Sequence, residues 1–142
     1  MLSLVVSIPL GVISAVRPNS IIDRMATLMA LTGQAIPSFW MGILLIMLFG
    51  VQLKWLPISG SGSWQAIVMP GITLAAFPIA RNMRLTRSSM LDFMQADFVR
   101  TARSKGISET RIVTLHVLRN SLLPIVTAVG LELGFLLGGS VI

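Results

Sequence analysis

Two long stretches of the chain hold no Asp, Glu, Lys, Arg or His: residues 25–53 and 55–80, of 29 and 26 residues. A helix needs about 20 apolar residues to cross the hydrocarbon core of a bilayer, so each is long enough for a span. Shorter apolar stretches occupy the two ends, 1–16 and 120–142, the latter interrupted only by Glu132. Between them lies one polar insertion, 88–119. The pattern predicts an all-α, polytopic transmembrane helix bundle in one domain. Its spans are expected over 1–16, 25–53, 66–87 and 120–142, with 88–119 as an elbow outside the membrane. Sixteen residues reach only ~24 Å, short of the ~30 Å core. Residues 1–16 also lack a basic leader and a small-residue cleavage pattern. Both ends are therefore expected to be cut through membrane helices, making the chain a fragment or a truncated reading frame.

Three features interrupt the spans. Pro37 lies in the first long run, and Pro70 and Pro78 lie in the second. Proline removes a helix hydrogen bond and bends the helix, which a membrane bundle tolerates where neighbours repair the loss. In the last run Gly130, Gly134 and Gly138 share one helix face, where a partner helix can approach closely.

The insertion reads as two short amphipathic helices. Met90, Met94, Phe98 and Ala102 line one face of the first. Gly106 is placed to end it in a left-handed cap, with Arg103 and Lys105 beside the negative helix end. Ser108 suits the N-cap of the second helix, with Glu109 at its positive end. Ile112, Leu115, Leu118 and Leu122 line that helix's apolar face, and Pro124 follows. The expected shape is a helix–turn–helix elbow with a polar tip near 103–111.

Composition agrees with the membrane reading. Only 11% of the 142 residues are charged, against roughly 25% in soluble domains, and mean hydropathy is +0.86. Lys and Arg collect on the cytoplasmic side of membrane proteins. Arg17 and Arg24 sit in one polar interval, Lys54 alone in the next, and eight basic residues between 81 and 119. Residues 17–24 and 88–119 are thus expected inside and 54–65 outside, with Trp55 and Trp64 as interfacial anchors.

The elbow's charge has several readings. The positive-inside rule explains its sign but not its capped turn. Binding of nucleic acid is disfavoured, because the elbow is tethered to spans at both ends and has few aromatics. Anionic lipid headgroups and a docked protein partner remain. No nucleophile–base pair, paired-carboxylate site or His-rich cluster can be assembled, no metal site is expected, and there are no cysteines. His116, the sole histidine, suits a structural or interfacial role. Glu132 in a span is a functional candidate by default, and lines a pathway, pairs with a neighbouring subunit's Lys or sits in a wet vestibule. The nine methionines are scattered and suit gap filling.

The insertion resembles the EAA loop of ATP-binding-cassette importer permeases. Ala102 and Gly106 fall at its Ala and Gly positions, and Leu123-Pro124 at its end. Arg100-Thr101 stand where the general form has Glu-Ala, and Gly106 lies eighteen residues before Pro124, a longer spacing than usual. Both departures resemble the dipeptide, oligopeptide and nickel branch, with its TARxKG core and LRNxLLP. GQAIPSFW (33–40), WLPISGSG (55–62) and RLTRSSML (84–91) are similar to that branch in the same order. The resemblance covers nearly the whole chain and corresponds to the middle of such a permease.

It implies a permease subunit of an ATP-driven importer for peptides or nickel in a bacterial or archaeal inner membrane. The elbow would be a coupling helix that docks on an ATPase. The coupling residues would be Arg100, Thr101, Ala102, Arg103, Lys105, Gly106, Ser108 and Glu109, with Ala102 and Gly106 small where the partner comes close. Pro37 and Glu132 are candidates for the translocation path. The implied partners are a second permease subunit, two ATP-binding subunits, an extracytoplasmic substrate-binding protein and the bilayer. No Walker A sequence is present, so ATP and Mg belong to the partner subunits and this chain itself needs no cofactor. The alternative is a non-transporting membrane scaffold whose basic loop binds anionic lipid or a cytoplasmic partner.

Overall fold

A computed structural model describes residues 2–60 and 63–139, apart from the side chains of residues 2, 132, 133 and 135–139. Every regular element among them is helical: α1 (Leu2–Val16), α2 (Ile21–Ala35), α3 (Ser38–Leu45), α4 (Trp64–Met94), α5 (Asp97–Ser104), α6 (Glu109–Arg111) and α7 (Leu118–Gly139). A π-helical segment, Ile46–Gln52, prolongs α3, and another, Ile112–Val117, joins α6 to α7. Two continuous helical stretches, Trp64–Met94 and Glu109–Leu131, are long and apolar enough to cross a membrane; α1 is shorter.

Helix α4 is the centre of the bundle, and α1, α2, α3 and α7 all pack on it. Its closest neighbour is α1, which presents Ser7, Gly11, Ser14 and Ala15 at helical spacing. A Cβ on Gly11 would lie 2.6 Å from Thr86 Cβ and 2.8 Å from the Met83 carbonyl oxygen. Only glycine allows the two backbones this near, the small-residue packing usual between membrane helices. The face of α4 turned inward includes Met83, Thr86, Ser89 and Met90.

Two expectations about the elements are corrected, and the bend expected at Pro37 in the run 25–53 is sharp. That run forms α2 and α3 with its π-helical extension, bent by 104°. Ile36 is extended (φ −82°, ψ 121°), as the residue before a proline prefers, and Pro37 caps the next helix. The helix expected over 66–87 continues to Met94, because nothing in RLTRSSMLDFM breaks it. Met90 and Met94 therefore belong to α4 rather than to an elbow helix. The insertion 88–119 contains only one separate short helix, α5. Its expected second helix runs on through Ile112–Val117 into α7, with Pro124 inside the helix.

At the far end of α4, Phe49 and Trp55 stack at a tilt of 46°, 6.0 Å between centroids. Both Trp55 and Trp64 are exposed there, as interfacial anchors are.

Candidate functional site

The elbow spans Gln95 to Arg111. Helix α4 stops at Gln95, whose N–H reaches the Asp92 carbonyl, and Ala96 turns the chain into α5. Gly106 then closes α5 in the left-handed conformation expected, with φ +75°. Its N–H donates to the Arg103 carbonyl (2.9 Å), and the Ile107 N–H donates to the Ala102 carbonyl (3.2 Å). This pair of bonds is a Schellman cap, completed by packing of Ile107 on the core that holds Ala102. Ser108 sits at the N-cap position expected. Its carbonyl accepts from the Ile112 N–H (3.0 Å), but its hydroxyl makes no cap bond.

Two faces separate here. Inward, Val99 and Ala102 of α5 pack with Ala15, Met90, Ile112 and Val117. All of these except Ala102 are fully buried, the larger ones being Met90, Val99, Ile112 and Val117. Burying a side chain of this size contributes about 1.5–3 kcal/mol, so α5 is cemented to the ends of α1 and α4 and to the π-helical segment that leads into α7. Ala102, expected to face a partner, is turned into this core instead. It is small because α5 crosses close to its own neighbours.

Outward, Arg100, Thr101, Arg103, Lys105, Gly106, Ser108 and Glu109 are exposed together. Arg103 donates to both Glu109 oxygens, at 2.6 and 3.2 Å, and bridges the two sides of the turn. That bond lowers the Glu109 carboxyl below its ordinary range and raises the Arg103 guanidinium, so both stay charged near neutral pH. Thr101 Oγ1 donates back to the Asp97 carbonyl at 3.0 Å. Nothing lies within 4 Å of a Cβ built on Gly106, so the tip opens onto free space. A surface with fixed backbone and alternating charges suits docking.

Sequence reasoning missed the polar staple behind the elbow. Asp23 is buried and accepts from Arg87 Nε at 2.6 Å and Nη2 at 2.8 Å. Ser14 Oγ also donates to it, as does the Asn19 N–H at 2.8 Å. Four donors thus meet one carboxylate where α1, α2 and α4 converge. The signal was available as a lone acid in a basic loop, but its partner is 64 residues away. The 17–20 turn and the elbow lie at the same end of α4, as the charge distribution requires.

Pro37 is exposed at the 104° bend, and His116 lies half-buried in the second π-helical segment, its carbonyl accepting from Asn120 Nδ2 at 2.7 Å. The side chain of Glu132 lies outside the described residues.

Residues 7–142 match the family described as the binding-protein-dependent transport system inner membrane component. The chain belongs to that family. It is 47% identical over 132 residues to the glutathione transport system permease protein GsiC of Escherichia coli, covering 93% of this chain and 43% of that protein. The proteins of the same name from Salmonella paratyphi A and Shigella flexneri serotype 5b are each 46% identical, covering 94% and 93% of this chain and 44% and 43% of theirs. The chain spans less than half the length of the curated relatives it matches. Membership makes it a multi-pass inner-membrane component of the permease type, and not the ATPase.

Proposed function

We propose that this chain is the elbow-bearing part of a permease subunit in an ATP-driven importer of peptide-type solutes. Its helices form part of the translocation path, and its elbow receives the movement of separate ATP-binding subunits. The observation that carries the reading is the elbow's two-sidedness. A Schellman-capped turn exposes Arg103, Lys105, Gly106 and Ser108, while Val99 and Ala102 anchor the same helix in the bundle's core. A docking partner that pushed on such a tip would move α1, α4 and α7 together, a rigid-body transition. The relatives' names make glutathione the first solute to try, ahead of other short peptides and nickel. A second permease subunit and an extracytoplasmic binding protein complete the proposed assembly. Residues 17–24 and the elbow face the cytoplasm, and 54–65 the outside.

The test is reconstitution of the complete permease with its neighbouring permease, ATPases and binding protein in proteoliposomes. Uptake of glutathione is expected only with ATP inside and binding protein outside. Vesicles that bind their partners but take up no solute under these conditions would support the scaffold reading instead.

A further inference from the structure

On the side of α4 away from α1, a groove of about 1070 Å³ runs between α2, α4 and α7. Its walls mix apolar side chains, such as Leu31, Phe77 and Leu131, with the hydroxyls of Thr27 and Thr127. Its floor carries Arg81, Arg84 and Arg87 from successive turns of α4. Arg87 is neutralised by Asp23 through two hydrogen bonds. Arg84 is held differently. Its Nη1 donates to Gln34 Oε1 at 2.8 Å, a neutral partner that orients the guanidinium without cancelling its charge. Among the described residues no other acceptor meets its fork. Gln34 stands two residues before Ile36, where the chain bends by 104°. Gly33 beside it packs on Ala80 and on the Ala76 carbonyl. The GQAIPSFW stretch thus does two jobs: it breaks the helix and aims an arginine into the groove.

Arg84 lies ~30 Å along α4 from the Trp64 anchor, at the inner edge of the hydrocarbon layer. An arginine at that depth is satisfied by headgroups, water or an anion within its reach; the Gln34 bond turns it toward the groove.

We propose that this groove is the inner part of the solute pathway, and that Arg84, oriented by Gln34, receives the C-terminal carboxylate of the solute. The proposal rests on the permease reading above and adds the chemical class that the path accepts. A guanidinium fork fits a carboxylate through two parallel bonds, which an ammonium cannot reproduce. The Thr27 hydroxyl, and Thr127 Oγ1 as an acceptor only since it donates to the Leu123 carbonyl at 3.0 Å, suit the amide groups of a short peptide, and the apolar residues suit its side chains.

The experiment compares glutathione with its analogue capped as an amide at the glycine carboxylate, in the reconstituted complete transporter. Uptake of each is measured for wild type, Arg84→Gln and Arg84→Lys in vesicles of low and of high phosphatidylglycerol content. Wild type should favour the free acid. Arg84→Gln should lower that ratio about tenfold, the change that 1.4 kcal/mol produces, mostly by slowing the free acid. Arg84→Lys should restore it only in part. An unchanged ratio with Arg84→Gln overturns the inference and leaves the permease reading standing. Equal slowing of both solutes, or a loss that follows phosphatidylglycerol content rather than the carboxylate, also overturns it. Uptake of neither solute by wild type overturns the inference and the peptide reading together.

Discussion

Replacing Gly106 by Trp in the complete transporter should leave membrane insertion intact, let ATP hydrolysis continue, and cut coupled uptake by roughly 5–150-fold, the usual range of coupling energies. Two properties of the site set this expectation. Gly106 holds φ +75°, where a residue with a Cβ pays about 1–2 kcal/mol. A Cβ there meets nothing within 4 Å, so a side chain can leave the backbone without displacing a neighbour at its root. The bulk projects from the exposed tip, where an ATPase would sit. Strain and bulk can be separated with two further variants. Gly106→Asn keeps the left-handed cap at little cost and should transport nearly as wild type. Gly106→Ala bears the strain without the bulk and should fall only slightly. Equal losses in Ala and Trp would assign the effect to the cap and remove the evidence for docking.

The second large effect is expected at the staple. Asp23→Ala leaves Arg87 facing a site built for an anion, and breaking a buried pair from one side typically costs about 3–5 kcal/mol. The low end applies here, since the Arg87 side chain keeps 28% of its surface exposed. The thermal midpoint of the purified permease should fall in Asp23→Ala and in Arg87→Ala alone. Asp23→Ala with Arg87→Met should recover most of the loss, because neither charge is then left alone. Additive losses in the double variant would mean that the two residues act independently, contrary to the geometry.

The helical class, the exposed tip and the left-handed cap at Gly106 were all legible in the sequence, because each depends on local pattern. Uncharged runs report spans, and a glycine after an amphipathic stretch with basic residues reports a helix end. What escaped depends on contacts between distant elements. Asp23 looked like one acid in a basic turn, and Arg87 like one more positive-inside charge. Only the convergence of α1, α2 and α4 makes them partners. Gly11 told the same story. Without α4 beside it, nothing marked it as the point where two backbones meet. Ala102 has two readings, apolar face by periodicity and partner contact by motif position, and its packing in the core agrees with the first. The bend after Ile36 was half legible: Pro37 announced a kink, but apolar composition alone cannot report a turn of 104°.

The most direct test of the central claim uses the absence of native cysteine from this chain. Ser108 is exposed at the elbow's tip, and its hydroxyl makes no cap bond. A single Ser108→Cys change in the complete permease, treated with a short bifunctional crosslinker in the assembled transporter, should give an adduct with an ATP-binding subunit. The yield should change when the ATPases are trapped with nucleotide. No adduct from Cys at this position, in complexes shown to contain the ATPases, would contradict the account of the elbow as the docking element.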